Sequence, residues 1–118
     1  MPRSVLVVDD DASFRGLATR VLVSWGHEVI GEAGGAREAL ARAAELRPDT
    51  ALVDIGLPDC DGFWLAEQLR ALSWPVRVVL ISTDGDRANA LAAERAGASG
   101  FFPKDELAGS ALRRLIEG

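Results

Sequence analysis

The sequence has few of the residues on which secreted, zinc-binding or DNA-binding proteins depend. It has one cysteine, Cys60, so an internal disulfide is excluded, and no cluster of cysteine and histidine has the spacing of a zinc site. Its 13 basic residues are scattered and its net charge is -5, which leaves no basic surface for a phosphate backbone. We therefore expect no direct contact between this chain and nucleic acid.

A long hydrophobic run is also missing from the N-terminus. Only the short apolar run at residues 5–8 precedes the first acidic residues, and it is too short for the core of a signal peptide or for a membrane span. With 118 residues, of which 48% are hydrophobic, the chain can form one domain with a proper core. We expect a cytoplasmic protein whose residues 1–118 form a single domain without contact to a membrane.

Short apolar runs alternate with longer amphipathic stretches along the chain. Runs rich in Val, Ile and Phe predict β-strands at residues 4–8, 27–31, 50–54, 76–82 and 99–102. Amphipathic stretches predict helices at residues 12–25, 36–46, 62–72, 86–96 and 106–117. Gly97 is typical of the residue that ends a helix. This alternation predicts an α/β fold with a parallel sheet, right-handed crossovers and helices on both faces.

The segment VLVVDDD at residues 5–11 places consecutive carboxylates after the first predicted strand. Such an apolar run is typical of a buried strand in a parallel sheet, and ligands bind at the carboxyl edge of these sheets. Crowded carboxylates repel one another unless a cation is supplied, which indicates a hard divalent metal. Alternatively, the acids favour the N-terminus of the next helix, which Asp11 can cap. The segment alone leaves both interpretations open.

Further polar residues follow the other predicted strands. Asp54 closes the third strand, Ser82 closes the fourth, and Lys104 follows the fifth. Because the carboxyl ends of parallel strands lie at one edge of the sheet, we expect these residues to converge with Asp9 and Asp10. Taken singly, each has a simpler explanation as a strand-terminal charge, an exposed hydroxyl or a surface lysine. Together they are what phosphoryl transfer to a carboxylate requires: acids for Mg²⁺, a nucleophilic carboxylate, and a hydroxyl and an ammonium for the phosphoryl oxygens.

Motifs at four places make the chain resemble the receiver domain of two-component response regulators, the CheY-like superfamily. They are VVDD at 7–10, LVDIGLPDCDG at 52–62, VVLIS at 78–82 and AGASGFFPK at 96–104. Each motif alone is weak, but together they match the family in order and spacing over essentially the whole chain. The resemblance implies a flavodoxin-like, doubly wound (βα)5 sandwich whose parallel five-stranded sheet has the order 2-1-3-4-5. It also implies a signalling module rather than an enzyme.

The resemblance implies roles for the residues of the predicted metal site. Asp54 would be the phosphoacceptor and would receive its phosphoryl group from a sensor histidine kinase or a phosphotransfer protein. Asp9 and Asp10 would hold Mg²⁺ with Asp54, directly or through water. Gly56 would add its backbone carbonyl to the metal.

The resemblance also implies a switch. Ser82 and Lys104 would each contact a phosphoryl oxygen. Phe101 matches the family's aromatic switch position, whose ring moves inward as the hydroxyl is drawn toward the phosphoryl group, and a place in the core suits its resting state. The signalling surface, through which the chain could form a homodimer, would lie on the fourth helix, the fifth strand and the last helix.

The chain departs from the commonest family pattern after the lysine. Asp105 follows Lys104 where the family often has proline, and the proline precedes the lysine as Pro103. A cis bond before a residue other than proline costs about 2.5–4 kcal/mol, so we expect a trans 104–105 bond. Asp105 would then cap the last helix. A lysine followed by aspartate resembles the receivers of LuxR-type transcription regulators, and the sequence leaves open a stand-alone receiver and the N-terminal domain of a longer regulator.

Two residues at the expected rim of the pocket bear on the lifetime of a phosphorylated state. Gly56 has no side chain and leaves water a path to the phosphorus, and Asp84 can bring a carboxylate to the mouth of the site. The simpler interpretation is that Gly56 serves an unusual backbone angle and that Asp84 starts the fourth helix.

Three alternative functions share part of this pattern. Asp9, Asp11 and Ser13 mimic the motif of haloacid-dehalogenase-type phosphatases, but that family needs a later acidic pair, and Asp54 would have no role. A flavodoxin-like FMN binder shares the fold, but the acidic first loop would repel the phosphate. A pseudo-receiver that acts only as an interaction module remains, although all the phosphorylation residues are present.

Overall fold

A computed structural model describes residues 3–74, 76–83 and 87–117 of the chain. The strands in this part of the chain are β1 Ser4–Val8, β2 Glu28–Ala33, β3 Thr50–Asp54, β4 Arg77–Ser82 and β5 Gly100–Pro103. The helices are α1 Ala12–Ser24, α2 Ala36–Leu46, α3 Gly62–Arg70, α4 Arg87–Arg95 and α5 Ser110–Glu117, with a 3-10 turn at Lys104–Glu106. The predicted alternation of strands and helices is confirmed.

The five strands form one parallel sheet in the order β2-β1-β3-β4-β5. This is the predicted order, and it places the ends of β1, β3 and β4 side by side in the middle of the carboxyl edge. Asp54 at the end of β3 pairs in register with Ile81, so Ser82 lies one residue further along β4. The sheet therefore supplies the convergence that the sequence predicts.

Alternate residues of β1 face the two layers of helices, as the two-residue period of a strand requires. Val5 and Val7 pack with buried residues of α1 and α5, while Leu6 and Val8 pack with buried residues of α2, α3 and α4. All four valine and leucine side chains are fully buried.

Within the described ranges, no helix is long and apolar enough to cross a membrane.

The edge strand β2 differs from its predicted bounds. It covers Glu28–Ala33 rather than 27–31. Among the described residues, β2 pairs only with β1, through an irregular register, and Ala33 is its one buried residue, so the strand carries a weak hydrophobic pattern. At the other side of the sheet, Gly97 follows α4 with a φ of 83°, which confirms that it ends that helix.

The last predicted helix is interrupted. Lys104–Glu106 form a 3-10 turn, and α5 begins only at Ser110. The prediction that Asp105 caps this helix is therefore wrong, because Asp105 lies inside the earlier turn. Leu107 between the two elements is buried, so the chain bends to bring this side chain into the core. The 104–105 bond is trans, as expected, since the described residues contain no cis peptide bond.

The C-terminal end of α5 is fastened to the start of the sheet. Arg77 donates to the carbonyl of Leu115 at 2.6 Å, and Arg3 donates to the carbonyl of Glu117 at 3.0 Å. The buried His27 accepts from the amide of Arg3 through Nδ1, which leaves Nε2 to donate to the Glu117 carboxylate 3.1 Å away. The first and last described residues of the chain are thus held together at the edge opposite the strand ends.

Candidate functional site

The carboxyl edge of the sheet carries a cluster of three aspartates. Asp9 directly follows β1, Asp10 follows it, and Asp54 ends β3. Each has a carboxylate oxygen within 4.8 Å of the others. Asp9 is fully buried and Asp54 nearly so, while Asp10 is exposed and opens the cluster to solvent. The arrangement is a pocket of oxygen ligands with a buried floor and one exposed side.

Lys104 reaches this cluster from the end of β5. Its Nζ lies 2.6 Å from Oδ2 of Asp9 and 3.5 Å from Oδ2 of Asp54. The lysine side chain is mostly buried, so its charge acts in a medium that screens it weakly. The ammonium therefore offsets one of the three carboxylate charges of the cluster.

Burial raises the pKa of the Asp9 carboxyl, and the neighbouring Asp54 charge adds to this effect. The Lys104 ammonium and the amide of Asp11, which donates to Oδ1 of Asp9 at 2.9 Å, oppose the rise without cancelling it. Burial acts to lower the pKa of Lys104, but its contacts with Asp9 and Asp54 outweigh burial and raise that pKa. The pocket thus holds crowded negative charge and a firmly protonated lysine.

Asp11 is separate from the cluster. Its Oδ1 accepts from the amides of Ser13 at 2.9 Å and Phe14 at 3.4 Å, which makes it the N-cap of α1. The helix-capping interpretation is therefore confirmed for Asp11, while the metal interpretation stays a prediction for Asp9, Asp10 and Asp54. The phosphatase alternative is not supported by this arrangement, because the second aspartate of its motif is occupied with the helix.

Ser82 and Phe101 lie where the sequence predicts. Ser82 is buried at the end of β4, between the end of β3 and Pro103 of β5. Phe101 is half-buried on β5, pairs in register with Leu80, and packs against the core beneath α3 and α4. This partly buried placement against the core is the one predicted for Phe101, whose role as a switch stays a prediction.

The loop of residues 55–61, named the acceptor loop after the role predicted for Asp54, connects Asp54 to α3. The amide of Gly56 donates to Oδ1 of Asp54 at 3.3 Å. The interpretation that Gly56 serves an unusual backbone angle is wrong, since the described glycines with positive φ are Gly26 and Gly97. A Cβ at Gly56 would meet only the Asp54 carboxylate, at 3.8 Å, so this side of the pocket is open. Asp84, the other predicted rim residue, lies outside the described residues.

Gly62 at the start of α3 is the glycine on which the loop geometry depends. A Cβ there would lie 2.5 Å from the carbonyl oxygen of Asp54 and 2.6 Å from Cα of Ile55. The amide of Gly62 donates to the Ile55 carbonyl at 2.9 Å, which closes the loop tightly. Only a residue without a side chain lets α3 begin this close to the strand end.

The first turn of α1 contributes two contacts that the sequence pattern did not single out. The ring of Phe14 lies under Lys104, with 4.5 Å between Nζ and the ring centre. Arg15 donates to the carbonyl oxygen of Asp9 at 2.6 Å and to Glu32 at 3.0 Å. Both residues lie about one helical turn beyond the acidic run, but that position alone does not indicate their partners.

Comparisons with known proteins show which family the chain resembles. A family profile described as the response regulator receiver domain matches residues 5–117. The chemotaxis protein CheY of Thermotoga maritima is 33% identical over 104 residues, which cover 88% of this chain and 87% of that protein. The DNA-binding transcriptional activator DevR/DosR of Mycobacterium tuberculosis is 34% identical over 117 residues, which cover 99% of this chain and 54% of that protein.

Solved structures give the same result. The response regulator domain of Thermotoga maritima CheB superposes with a TM-score of 0.87 at 28% identity, covering 99% of this chain and 96% of that one. The signal receiver domain of the response regulator NarL from Mycobacterium tuberculosis superposes with a TM-score of 0.86 at 34% identity, covering 97% and 96%. The chain belongs to the family of response regulator receiver domains.

Proposed function

We propose that this receiver domain accepts a phosphoryl group on Asp54, in a Mg²⁺-dependent reaction with a histidine kinase or phosphotransfer protein, and thereby switches a protein-interaction surface. The observation that carries the proposal is the cluster of Asp9, Asp10 and Asp54 beside the Lys104 ammonium. Family membership supports a signalling role for the domain.

The residues of the cluster fit a magnesium ion. Hard divalent cations prefer carboxylate and carbonyl oxygens, and the cluster presents three carboxylates within 4.8 Å. When all three are ionised, the lysine leaves two negative charges unbalanced, which is the charge of one divalent cation. Asp9, Asp10, Asp54 and the carbonyl of Gly56 would hold the ion, which would neutralise charge on the phosphoryl oxygens.

The side chains of the pocket would supply the nucleophile and the groups that contact the phosphoryl oxygens. Asp54 is held at Oδ1 by the amide of Gly56, which fixes the carboxylate for attack. A carboxylate oxygen forms the new bond to phosphorus as the bond to the donor breaks, and the departing imidazole nitrogen of a phosphohistidine keeps the electron pair. Lys104, already 3.5 Å from Asp54, would pair with a phosphoryl oxygen, and Ser82 would donate to another.

Magnesium-dependent labelling with a small phosphodonor tests this function. We expect acetyl phosphate to transfer one phosphoryl group per chain, giving an acyl phosphate that is stable in acid and labile in base. EDTA should abolish the labelling. Continuous turnover of the donor would indicate a phosphatase, and absence of any labelling would indicate a pseudo-receiver.

Replacing Asp10 with asparagine should stabilise the metal-free protein and weaken Mg²⁺ binding. The change relieves repulsion within the cluster by about 1 kcal/mol, the value for neighbouring charges in a water-like medium, because Asp10 is exposed. Thermal melts with EDTA and with Mg²⁺ measure both effects. Glu45→Gln, which removes an exposed charge from α2, is the control and should change neither. A lower melting temperature of the metal-free Asp10 variant would contradict the assignment.

Replacing Ser82 with alanine should separate phosphorylation from the response. The acceptor and the acidic cluster remain, so Asp54 should still be labelled. The Ser82 hydroxyl is the group expected to favour inward movement of Phe101 after phosphorylation, and the coupling free energy between two such sites is typically about 1–3 kcal/mol. Without the hydroxyl, phosphorylation should no longer favour this movement. Amide exchange along β5 and α5, before and after phosphorylation, measures the response. A wild-type change in the variant would refute this route, and Ser24→Ala at the end of α1 serves as control.

A further inference from the structure

We propose that Asp59 is a positioning residue that ties the middle of the acceptor loop to the first turn of α2, so that metal binding at the aspartate cluster and order at the start of α2 are coupled. The inference rests on the proposed function of the cluster. The observation that supports it is a set of hydrogen bonds between two segments that are far apart in sequence.

The Asp59 carboxylate caps a helix that lacks a cap of its own. Oδ1 accepts from the amide of Ala36 at 2.8 Å, and Oδ2 accepts from the amide of Arg37 at 3.0 Å. The residue that precedes α2 is Gly35, which has no side chain to offer these amides. Both oxygens of Asp59 are therefore engaged by the positive end of α2.

The backbone at Gly35 and at Cys60 lies close to the Asp59 carboxylate. A Cβ at Gly35 would lie 3.0 Å from Oδ1 of Asp59, tighter than most side-chain contacts. The amide of Cys60 donates to the same oxygen at 3.1 Å, which fixes the carboxylate relative to its own loop. The hydrogen bonds from Ala36 and Arg37 lower the pKa of Asp59, so the carboxylate is charged at neutral pH.

The same loop carries the groups that contact the acceptor. Near its start, the amide of Gly56 holds Asp54, and the carbonyl of Gly56 is the proposed metal ligand. At its end, Asp61 caps α3 by accepting from the amide of Trp64 at 2.8 Å. Asp59 fastens the part between these points to α2. The bonds at Gly56 and Asp61 hold the two ends of this short loop. The contact of Asp59 with α2 therefore restricts where the chain between them, and with it the carbonyl of Gly56, can lie.

Coupling through this contact must act in both directions. If α2 holds the loop in the geometry that binds the metal, then metal binding must in turn protect the amides that Asp59 accepts. An ordinary helix cap would stabilise α2 without responding to the metal. The reciprocal effect therefore separates a positioning residue from a structural cap.

The experiment compares Mg²⁺ binding and amide exchange in the wild type, Asp59→Ala and Asp59→Asn, without any phosphodonor. In the wild type we expect Mg²⁺ to slow exchange of the Ala36 and Arg37 amides. In Asp59→Ala these amides should exchange quickly with or without Mg²⁺, and the Mg²⁺ dissociation constant should rise about five-fold, the lower end of typical coupling. Asp59→Asn, which keeps one acceptor oxygen, should fall between the two.

Asp49→Ala is the matched control. Asp49 also accepts a hydrogen bond from a distant amide, that of Ser4 at 3.0 Å, but it lies at the opposite edge of the sheet. We expect this variant to lose stability and keep wild-type Mg²⁺ affinity. Unchanged Mg²⁺ affinity in Asp59→Ala, or persistence of the Mg²⁺ effect on Ala36 and Arg37, would overturn the inference. Phosphoryl transfer is not measured in this experiment. A failure of the separate labelling experiment with acetyl phosphate would therefore count against the proposed function alone.

Discussion

Replacement of Asp54 by asparagine should abolish stoichiometric labelling by acetyl phosphate while leaving the fold intact. Asparagine keeps the shape of the side chain and an oxygen that can accept from the amide of Gly56, 3.3 Å away. It lacks the negative charge and the nucleophilic oxygen that an acyl phosphate requires. Intact-mass measurement after incubation with donor and Mg²⁺ gives the stoichiometry, and circular dichroism checks the fold.

Asp105→Asn is the control for this experiment. Asp105 is an exposed carboxylate in the 3-10 turn beside Lys104, so it shares the neighbourhood but not the cluster. We expect full labelling of this variant. Labelling of Asp54→Asn to one phosphoryl group per chain would mean that another carboxylate is the acceptor, and the assignment would fail.

Replacement of Gly62 by alanine should destabilise the protein by about 1–3 kcal/mol, the usual cost of forcing a methyl group into a packed site. The new Cβ would meet the backbone of Asp54 and Ile55 at 2.5 and 2.6 Å, and backbone cannot rotate away as a flexible side chain can. The loop must shift, so labelling of Asp54 should also slow. Urea denaturation and the time course of labelling measure the two effects.

Gly16→Ala offers the opposite result within the same fold. Gly16 lies inside α1, and a Cβ there would meet nothing within 4 Å. Alanine should therefore stabilise the protein by about 0.5–1 kcal/mol through the lower entropy of the unfolded chain. Equal effects of the two glycine changes would argue that the close approach at Gly62 is relieved at no cost.

The sequence predicted the sheet and the aspartate cluster because both follow from local patterns and one rule of parallel sheets. Apolar runs mark the strands, and polar residues after Val8 and Val53 mark the edge where ligands bind. The interrupted last helix was missed because residues 106–117 keep a helical pattern across the break. Gly109, a helix-disfavouring residue inside that pattern, was the available signal.

The contacts of Asp59, Phe14 and Arg15 could not be predicted in the same way. Asp59 caps a helix that begins 23 residues earlier in the chain, and nothing local to either segment indicates the partner. Phe14 has the pattern of a core residue and is one, but its contact with Lys104 depends on where β5 ends. Such contacts are set by which loop lies over which helix, and this is decided by the packed fold.

The fastening of the first strand to the last helix has a consequence for synthesis on the ribosome. Arg3 and Glu117 are separated by 114 positions, and Val5 and Val7 share their core with Leu112. The apolar face of β1 therefore leaves the ribosome long before the helix that covers part of it has been made. The nascent chain must carry this part of the face uncovered, as a site for chaperones or for aggregation, until α5 emerges.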